Sequence, residues 1–246
     1  MLSLTFWQWT WITASVFGAG IVRGIAGFGF SLITAVLLMF VFPPAQIVPV
    51  ILLWEIAASI GHLPFIYRQV DWRSLGWLSV GMLIGTPLGV WALSLVAPGP
   101  MCAIINGTVV VLALMMLRGT TLRHAPGRCG IAGIGLLGGA INGASANGGP
   151  PVILFFLSSP AGAAVGRASL IAYFLLTDTW ASLICWQQGL FSLSSFLLAA
   201  SMLVPLGLGV ALGSRVFRHI EEARFKKMVL LLLLLVAVTG IVKSLF

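Results

Sequence analysis

The sequence predicts an all-α integral membrane protein of two inverted repeats, each made of a re-entrant, broken helix pair and three transmembrane helices. Three observations lead to this fold class: the hydropathy of the chain, a glycine-rich segment that occurs twice, and the positions of the basic residues. Hydropathy predicts the membrane class, the glycine-rich segments predict the repeat, and the basic residues predict the course of the chain through the bilayer.

The composition predicts that most of the chain lies in lipid. Of its 246 residues, 60% are hydrophobic and only 7% are charged, and the mean hydropathy is +1.12. A soluble domain carries about 25% charged residues, whereas about 20 consecutive apolar residues form a helix that spans a bilayer. The apolar segments are 10–41, 47–66, 75–97, 101–117, 129–157, 165–187, 194–214 and 228–245.

The polar residues argue against several other classes of protein. The net charge of +8 comes from basic residues in short loops between apolar segments, which is typical of membrane orientation signals and not of nucleic-acid binding. No Lys or Arg occurs in the first 22 residues, so we expect no cleavable signal peptide. The three cysteines have no metal-ligand spacing, and we expect neither a metal nor another cofactor.

Three matches in the same order predict an internal duplication. The glycine-rich stretch that contains Gly20, Gly24 and Gly29 matches the stretch with Gly139, Gly143 and Gly148. Next, Leu52-Leu53-Trp54-Glu55 matches Leu175-Leu176-Thr177-Asp178, and Leu88-Gly89-Val90 matches Leu208-Gly209-Val210. The offset is about 120 residues in every match. We therefore expect a first membrane repeat at 1–122 and a second at 123–246, within one membrane domain, and repeats of this kind are common in secondary transporters.

Both glycine-rich segments are predicted to break into two half-helices. As one straight helix, segment 10–41 would be about 48 Å long, which exceeds the bilayer core of about 30 Å. Glycines at its middle permit a break. Segment 129–157 contains Gly148, Gly149 and then Pro150-Pro151, where a helix should stop and restart. Each segment could return as a re-entrant hairpin or cross as a kinked span.

The basic residues favour the hairpin for the second segment. If 129–157 returns to its own side, only Lys243 lies on the outer face, and Arg23 lies within the membrane. The cytoplasmic face then receives Arg68, Arg73, Arg118, Arg123, Arg128, Arg167, Arg215, Arg218, Arg224, Lys226 and Lys227. This asymmetry is what the positive-inside rule expects. By analogy the first segment is also a hairpin, which predicts six full crossings, inverted halves and both termini on the periplasmic or extracellular side.

The second half-helix of each pair is a candidate anion site. Its N-terminus presents free N–H groups and a partial positive charge, and glycine allows a ligand to approach the backbone closely. One predicted site consists of Gly27, Phe28, Gly29 and Phe30, and the other of Asn147, Gly148 and Gly149. The alternative is that these glycines serve only the close packing of membrane helices.

Several polar residues are predicted at the same depth in the membrane. Arg23 is a candidate for binding an oxyanion, or for a structural ion pair with Glu55 or Asp178. Asn142 and Ser145 could donate further hydrogen bonds to a substrate. Glu55 and Asp178 occupy matching positions and could carry a coupling proton, because burial favours the neutral form of a carboxyl group; the alternative is a role in helix packing.

The two glycine-rich stretches, Gly20 to Phe30 and Gly139 to Pro151, resemble those of the TauE/SafE family, also called the TSUP family. The resemblance covers nearly the whole chain. It implies a permease, often an exporter, of sulfite, sulfonates such as sulfoacetate, thiosulfate or other small organic anions in a bacterial inner membrane. Phe28 and Phe30 depart from the denser glycine run expected in the first stretch, which leaves room for a narrower or more apolar site.

The sequence therefore predicts a secondary transporter and not an enzyme. It lacks a Walker-type phosphate-binding loop, so we expect no ATP hydrolysis. The expected partners are a small anion and membrane lipid, and the sequence leaves open whether the protein works as a homodimer. The alternatives are an anion channel, an importer of thiosulfate or carboxylates and, more remotely, an intramembrane hydrolase with Ser145 as nucleophile.

Overall fold

The computed structural model describes residues 5–26, 29–61, 63–118, 126–157 and 162–216, together with Leu234 and Val238. Every regular element within these residues is a helix. The α-helices are α1 (Phe6–Ala26), α2 (Phe30–Leu38), α3 (Pro44–Ile60), α4 (Leu63–Ile66), α5 (Trp72–Leu95), α6 (Pro98–Leu117), α7 (Arg128–Ser145), α8 (Gly149–Leu157), α9 (Ala163–Gln187), α10 (Leu193–Ser201) and α11 (Leu203–Val216). A short 3-10 helix covers Tyr67–Gln69.

Among the described residues, four helical stretches are long and apolar enough to cross a membrane. They are Trp72–Leu95, Pro98–Met115, Ala164–Gln187 and Leu193–Arg215, the last of which joins α10 and α11. A fifth apolar helix, α3, has 17 residues, and the predicted final segment 228–245 lies almost wholly outside the described residues. These spans, with no strand in the described part of the chain, confirm an all-α membrane protein.

The first glycine-rich segment forms a helical hairpin. The indole Nε1 of Trp11, near the start of α1, donates a hydrogen bond to the carbonyl oxygen of Leu37 at 3.0 Å. In one continuous helix these residues would lie about 39 Å apart, so α2 doubles back along α1. Gly29 makes this possible with a φ of 93°, in the left-handed region that side chains disfavour. Gly27 and Phe28 lie outside the described residues.

The second glycine-rich segment also doubles back. Helix α7 ends at Ser145 and is followed by Ala146, whose φ of 57° is left-handed. Gly148 N then donates to the side-chain oxygen of Asn142 at 3.0 Å, and a Cβ placed on Gly138 of α7 would lie only 2.8 Å from Val152 of α8. Pro150 and Pro151 stand in the first turn of α8, where a missing N–H breaks no helical hydrogen bond.

Each hairpin packs against a long span that is distant in the sequence. A Cβ added to any of three glycines of α5 would collide with the backbone of α7: Gly81 with Ala132, Gly85 with Leu136, and Gly89 with Ala140. Both numbers increase by four at each step, so α5 and α7 run parallel and in very close contact. Helix α1 packs against α11 in the same way, through Gly20 and Gly24 on one side and Gly209 and Gly213 on the other.

The surface arginines gather at one end of the bundle. The backbone N–H of Asp71 donates to Ser169 Oγ at 2.9 Å, and the Arg128 guanidinium lies over the Trp77 ring, 5.8 Å from its centroid. Helices α5, α7 and α9 therefore begin at this end. Helix α11 ends there, because the span Leu193–Arg215 starts shortly after α9 ends at the opposite end. We call it the arginine end, and it carries the exposed residues Arg68, Arg73, Arg128, Arg167 and Arg215.

Candidate functional site

Charged side chains are buried where the hairpins meet α3 and α9. Arg23 is 4% exposed, Glu55 3% and Asp178 1%. Burial of a charge is unfavourable unless hydrogen bonds or an opposite charge compensate it. These three residues and their hydrogen-bonding neighbours form the central polar cluster, which consists of Arg23, Ser31, Glu55, Ser59, Asn142, Thr177 and Asp178.

The first half of the cluster is an ion pair at the N-terminus of α2. Arg23 Nη1 pairs with Glu55 Oε2, and Arg23 Nη2 donates to Ser59 Oγ at 2.9 Å. The other carboxylate oxygen, Glu55 Oε1, accepts from the backbone N–H of Ser31 at 3.1 Å. Glu55 thus binds both a guanidinium and the first turn of a helix, the two groups in proteins that most favour an oxyanion. Of the two carboxyl partners considered for Arg23, the structure pairs it with Glu55.

The second half of the cluster has a neutral amide in place of the cation. Asn142 Nδ2 donates to Asp178 Oδ1 at 2.7 Å, while Asn142 Oδ1 accepts from Gly148 N. Asn142 therefore links α9 to the turn before α8. The hydroxyls of Thr86 and Thr177 lie 3.5 Å apart beside it. Asp178 is also close enough to interact electrostatically with both Glu55 and Arg23, which joins the two halves into one cluster.

Beside this cluster are buried polar atoms without a partner. Within the described part of the chain, no group bonds to either side-chain atom of Asn147, to Asp178 Oδ2 or to Ser182 Oγ. Asn147 is only 2% exposed. Buried polar groups are almost always hydrogen-bonded, because leaving them unpaired is unfavourable. These atoms are therefore the strongest candidates for contacts to a polar ligand.

A cleft opens at the end of the bundle opposite the arginine end. Helix α9 runs for 25 residues, about 37 Å, from the arginine end to Gly189 in the cleft wall. The cleft has a volume of about 290 Å³, and Gln46, Ser192 and Ser194 provide polar groups in its lining. Its apolar lining includes Val50 of α3 and Leu198 of α10.

Two aromatic side chains lie between the cleft and the central polar cluster. Trp54 is one helical turn beyond Val50 on α3, and its indole donates to the carbonyl oxygen of Ala199 at 3.0 Å. Its ring meets that of Phe30 edge to face, with centroids 6.2 Å apart. Both side chains are fully buried. Phe30 adjoins Ser31, and Trp54 adjoins Glu55. The two aromatic rings therefore separate the cleft from the ion pair of Arg23 and Glu55.

The remaining predicted site residues do not all belong to the central polar cluster. Ser145 donates its hydroxyl proton to the Ile141 carbonyl at 2.7 Å, within its own helix. Gly149 is the first residue of α8. Ser31, Ser59 and Ser182 were not predicted as site residues; the signal for Ser59 and Ser182 was their position four residues after Glu55 and Asp178, on the same helix face. The described residues contain no group of three metal-ligating side chains.

Comparisons with known proteins agree with this architecture. The family described as "Sulfite exporter TauE/SafE" matches residues 12–240. The probable sulfite/organosulfonate exporter TauE of Cupriavidus necator is 26% identical over 209 residues, which cover 82% of this chain and 77% of the relative. The probable inner membrane transporter protein TsaS of Comamonas testosteroni is 26% identical over 193 residues, covering 75% and 78%. No solved structure matches.

The family assignment agrees with the resemblance drawn from the glycine-rich stretches. Both relatives are named as transporters, which supports the expectation that the protein is not an enzyme. The match extends over both hairpins, all described helices from α2 to α11, and every residue of the central polar cluster. This chain is a membrane transporter that belongs to the TauE/SafE sulfite exporter family.

Proposed function

We propose that the protein is a secondary transporter that exports a small organosulfur anion, such as sulfite or sulfoacetate, across a bacterial inner membrane. The anion binds at the tips of the two hairpins, beside Arg23 and Asn147. The observation that carries this proposal is a buried cation in a polar cluster where Asp178 and the neighbouring Asn147 have unpartnered polar atoms. The names of the two relatives support the substrate class.

Alternating access would come from two inverted repeats, 1–122 and 123–246. Two pairs of matching contacts support them: Gly20 approaches Leu206 as Gly139 approaches Thr86, and Gly24 approaches Val210 as Gly143 approaches Val90. Leu206 and Val210 each lie 120 residues after their counterparts Thr86 and Val90. The matching helices α3 and α9 also run antiparallel, as a two-fold axis in the membrane plane would require.

The arginine end would face the cytoplasm under the positive-inside rule. The cleft and the start of α1 would then face the periplasm, and both hairpins would enter the membrane without crossing it. Lipid would cover the exposed apolar side chains of α5, which include Val80, Ile84, Leu88 and Trp91. A homodimer stays a proposal, and chemical crosslinking in native membranes would test it.

Radiolabelled flux into proteoliposomes tests the proposed function. Sulfite, sulfoacetate, thiosulfate and lactate are each offered to purified protein, and we expect saturable uptake of an organosulfur anion that internal anion accelerates. Asn147→Ala should raise the apparent KM about tenfold or more, since a hydrogen bond to a charged group contributes about 1.5–3 kcal/mol.

Gln188→Ala, an exposed amide at the end of α9, is the matched control and should leave KM unchanged. Flux that does not saturate and does not respond to internal anion would favour a channel. If no anion enters faster than it enters protein-free liposomes, the proposed function is wrong.

A further inference from the structure

The Glu55 carboxylate is bound in the way a transported anion would be bound. One oxygen pairs with the Arg23 guanidinium, and the other accepts from the Ser31 N–H in the first turn of α2. Helix α2 has nine residues, enough to present a full N-terminal turn. The oxyanion site predicted at this hairpin tip is therefore filled by a side chain of the protein itself.

The charges of this site balance only while one anion is present. Within the described residues, Arg23 is the only buried Lys or Arg, and Glu55 neutralises it. A second anion beside Arg23 would leave a buried negative charge without compensation, which is strongly unfavourable. If Glu55 takes up a proton as the anion arrives, the carboxylic acid releases Arg23 and Ser31 N. A monovalent anion then leaves the charge of the ion-pair site at zero, and a divalent anion lowers it by one instead of by two.

The groups around Glu55 offer few alternatives for this proton. Helix α1 contributes Arg23, and α9 contributes Asp178, Tyr173 and the buried thiol of Cys185, with Arg167 exposed at the arginine end. Helices α2, α4 and α10 carry no titratable side chain. The remaining helices that pack on α3 contribute Cys102 on α6 and, at or beside the arginine end, the exposed residues Arg73, Arg128, Cys129 and Arg215.

Asp178, unlike Glu55, is not paired with the cation that an anion would bind. Its carboxyl group is held by the neutral amide of Asn142 and not by a cation. An anion can therefore bind to Arg23 without displacing Asp178 from a partner. The two matching carboxyl groups, although equivalent in the duplicated sequence, have different chemical roles in this geometry.

We infer that Glu55 is a tethered competitor of the transported anion, and that each anion replaces its carboxylate on Arg23 and Ser31 N when Glu55 accepts one proton from the same aqueous phase. This inference rests on the proposed function. Release of the anion returns the proton to the side where the anion leaves, so that one proton accompanies each anion. A divalent anion such as sulfoacetate then moves one net negative charge, which an inside-negative potential drives outward.

Proteoliposomes that contain a pH dye and receive labelled substrate measure the proton-to-anion ratio. The wild-type protein should acidify the lumen by one proton per anion taken up. Glu55→Gln should still carry the anion but without acidification, and its flux should respond to voltage as if one more negative charge moved. Asp178→Asn should change the rate but keep the ratio at one. Asp71→Asn, a carboxylate that caps α5 outside the cluster, is the matched control.

Acidification by Glu55→Gln at the wild-type ratio, or its loss in Asp178→Asn alone, would overturn the inference. If Glu55→Gln does not fold, titration calorimetry of the wild-type protein in buffers of different ionisation enthalpy provides a second test. It should show uptake of one proton per bound sulfoacetate, and zero uptake would contradict the exchange. Anion flux without protons in the wild type would refute the coupling alone, whereas absence of both flux and binding would refute the proposed function.

Discussion

At the scale of single residues, the buried ion pair makes Arg23 and Glu55 dependent on each other. Arg23→Gln should destabilise the protein by about 3–5 kcal/mol, because it leaves the Glu55 carboxylate buried without its cation. The double variant Arg23→Gln/Glu55→Gln should recover most of that loss, since the ion-pair site then holds no carboxylate without its cation. Unfolding in mild detergent, followed by tryptophan fluorescence, measures both effects.

A transport assay separates this effect on stability from an effect on substrate binding. The double variant should fold but should not carry the anion, because the proposed cation is gone. If Arg23→Gln alone were as stable as the wild type, the pair would not be the buried, mutually compensating contact that the structure describes.

At the scale of helices, the parallel contact between α5 and α7 depends on glycine. A Cβ on Gly85 would collide with the Leu136 carbonyl and lie 2.9 Å from Ala140 N. These are backbone atoms that cannot rotate away, so Gly85→Ala should cost about 1–3 kcal/mol, as overpacking of a dense interior does. The midpoint of thermal unfolding in detergent should fall accordingly.

Gly76 on the same helix provides the matched control. Nothing lies within 4 Å of a Cβ placed there, and alanine favours helix by about 0.8–1.0 kcal/mol over glycine. Gly76→Ala should therefore leave the midpoint unchanged or raise it. Equal destabilisation by both substitutions would show that the contact with α7 does not determine the result.

At the scale of the whole molecule, the arginine end predicts the orientation in the membrane. In a cysteine-free background, Gln188→Cys near the cleft should react with a membrane-impermeant maleimide in intact cells. Gly127→Cys at the arginine end should react only after the cells are permeabilised. Both positions are exposed, so burial would not cause a difference between them. Labelling of both from the same side would contradict the proposed orientation.

Features encoded by local chemistry could be predicted from the sequence. The break before α2 depends on Gly29 and the restart at α8 on Pro150 and Pro151, and both follow from the backbone preferences of glycine and proline. The partner of Arg23 could not be chosen in this way, because Glu55 and Asp178 occupy matching positions in the two stretches that predict a repeat. Only the packing of α2 against both α1 and α3 selects Glu55.

The close contacts between spans could not be predicted from the sequence either. Glycines recur every four residues in α5, but that spacing does not reveal which distant helix approaches them. The contact between Phe30 and Trp54 was not predictable either, because the two residues lie 24 positions apart. They meet only because α2 folds back toward α3. Contacts between residues distant in the sequence can be identified only from the folded structure, whereas breaks in helices can be predicted from the sequence.

The paired prolines at the start of α8 have a consequence for the energetics of the transport cycle. Pro150 and Pro151 have no N–H, so this tip offers a substrate fewer amide hydrogens than the tip of α2, which also has the guanidinium beside it. The tips of the two hairpins are thus electrically unequal. If the substrate stays bound to the first hairpin throughout the cycle, the membrane voltage acts chiefly on that hairpin. The inward-facing and outward-facing states then differ in free energy.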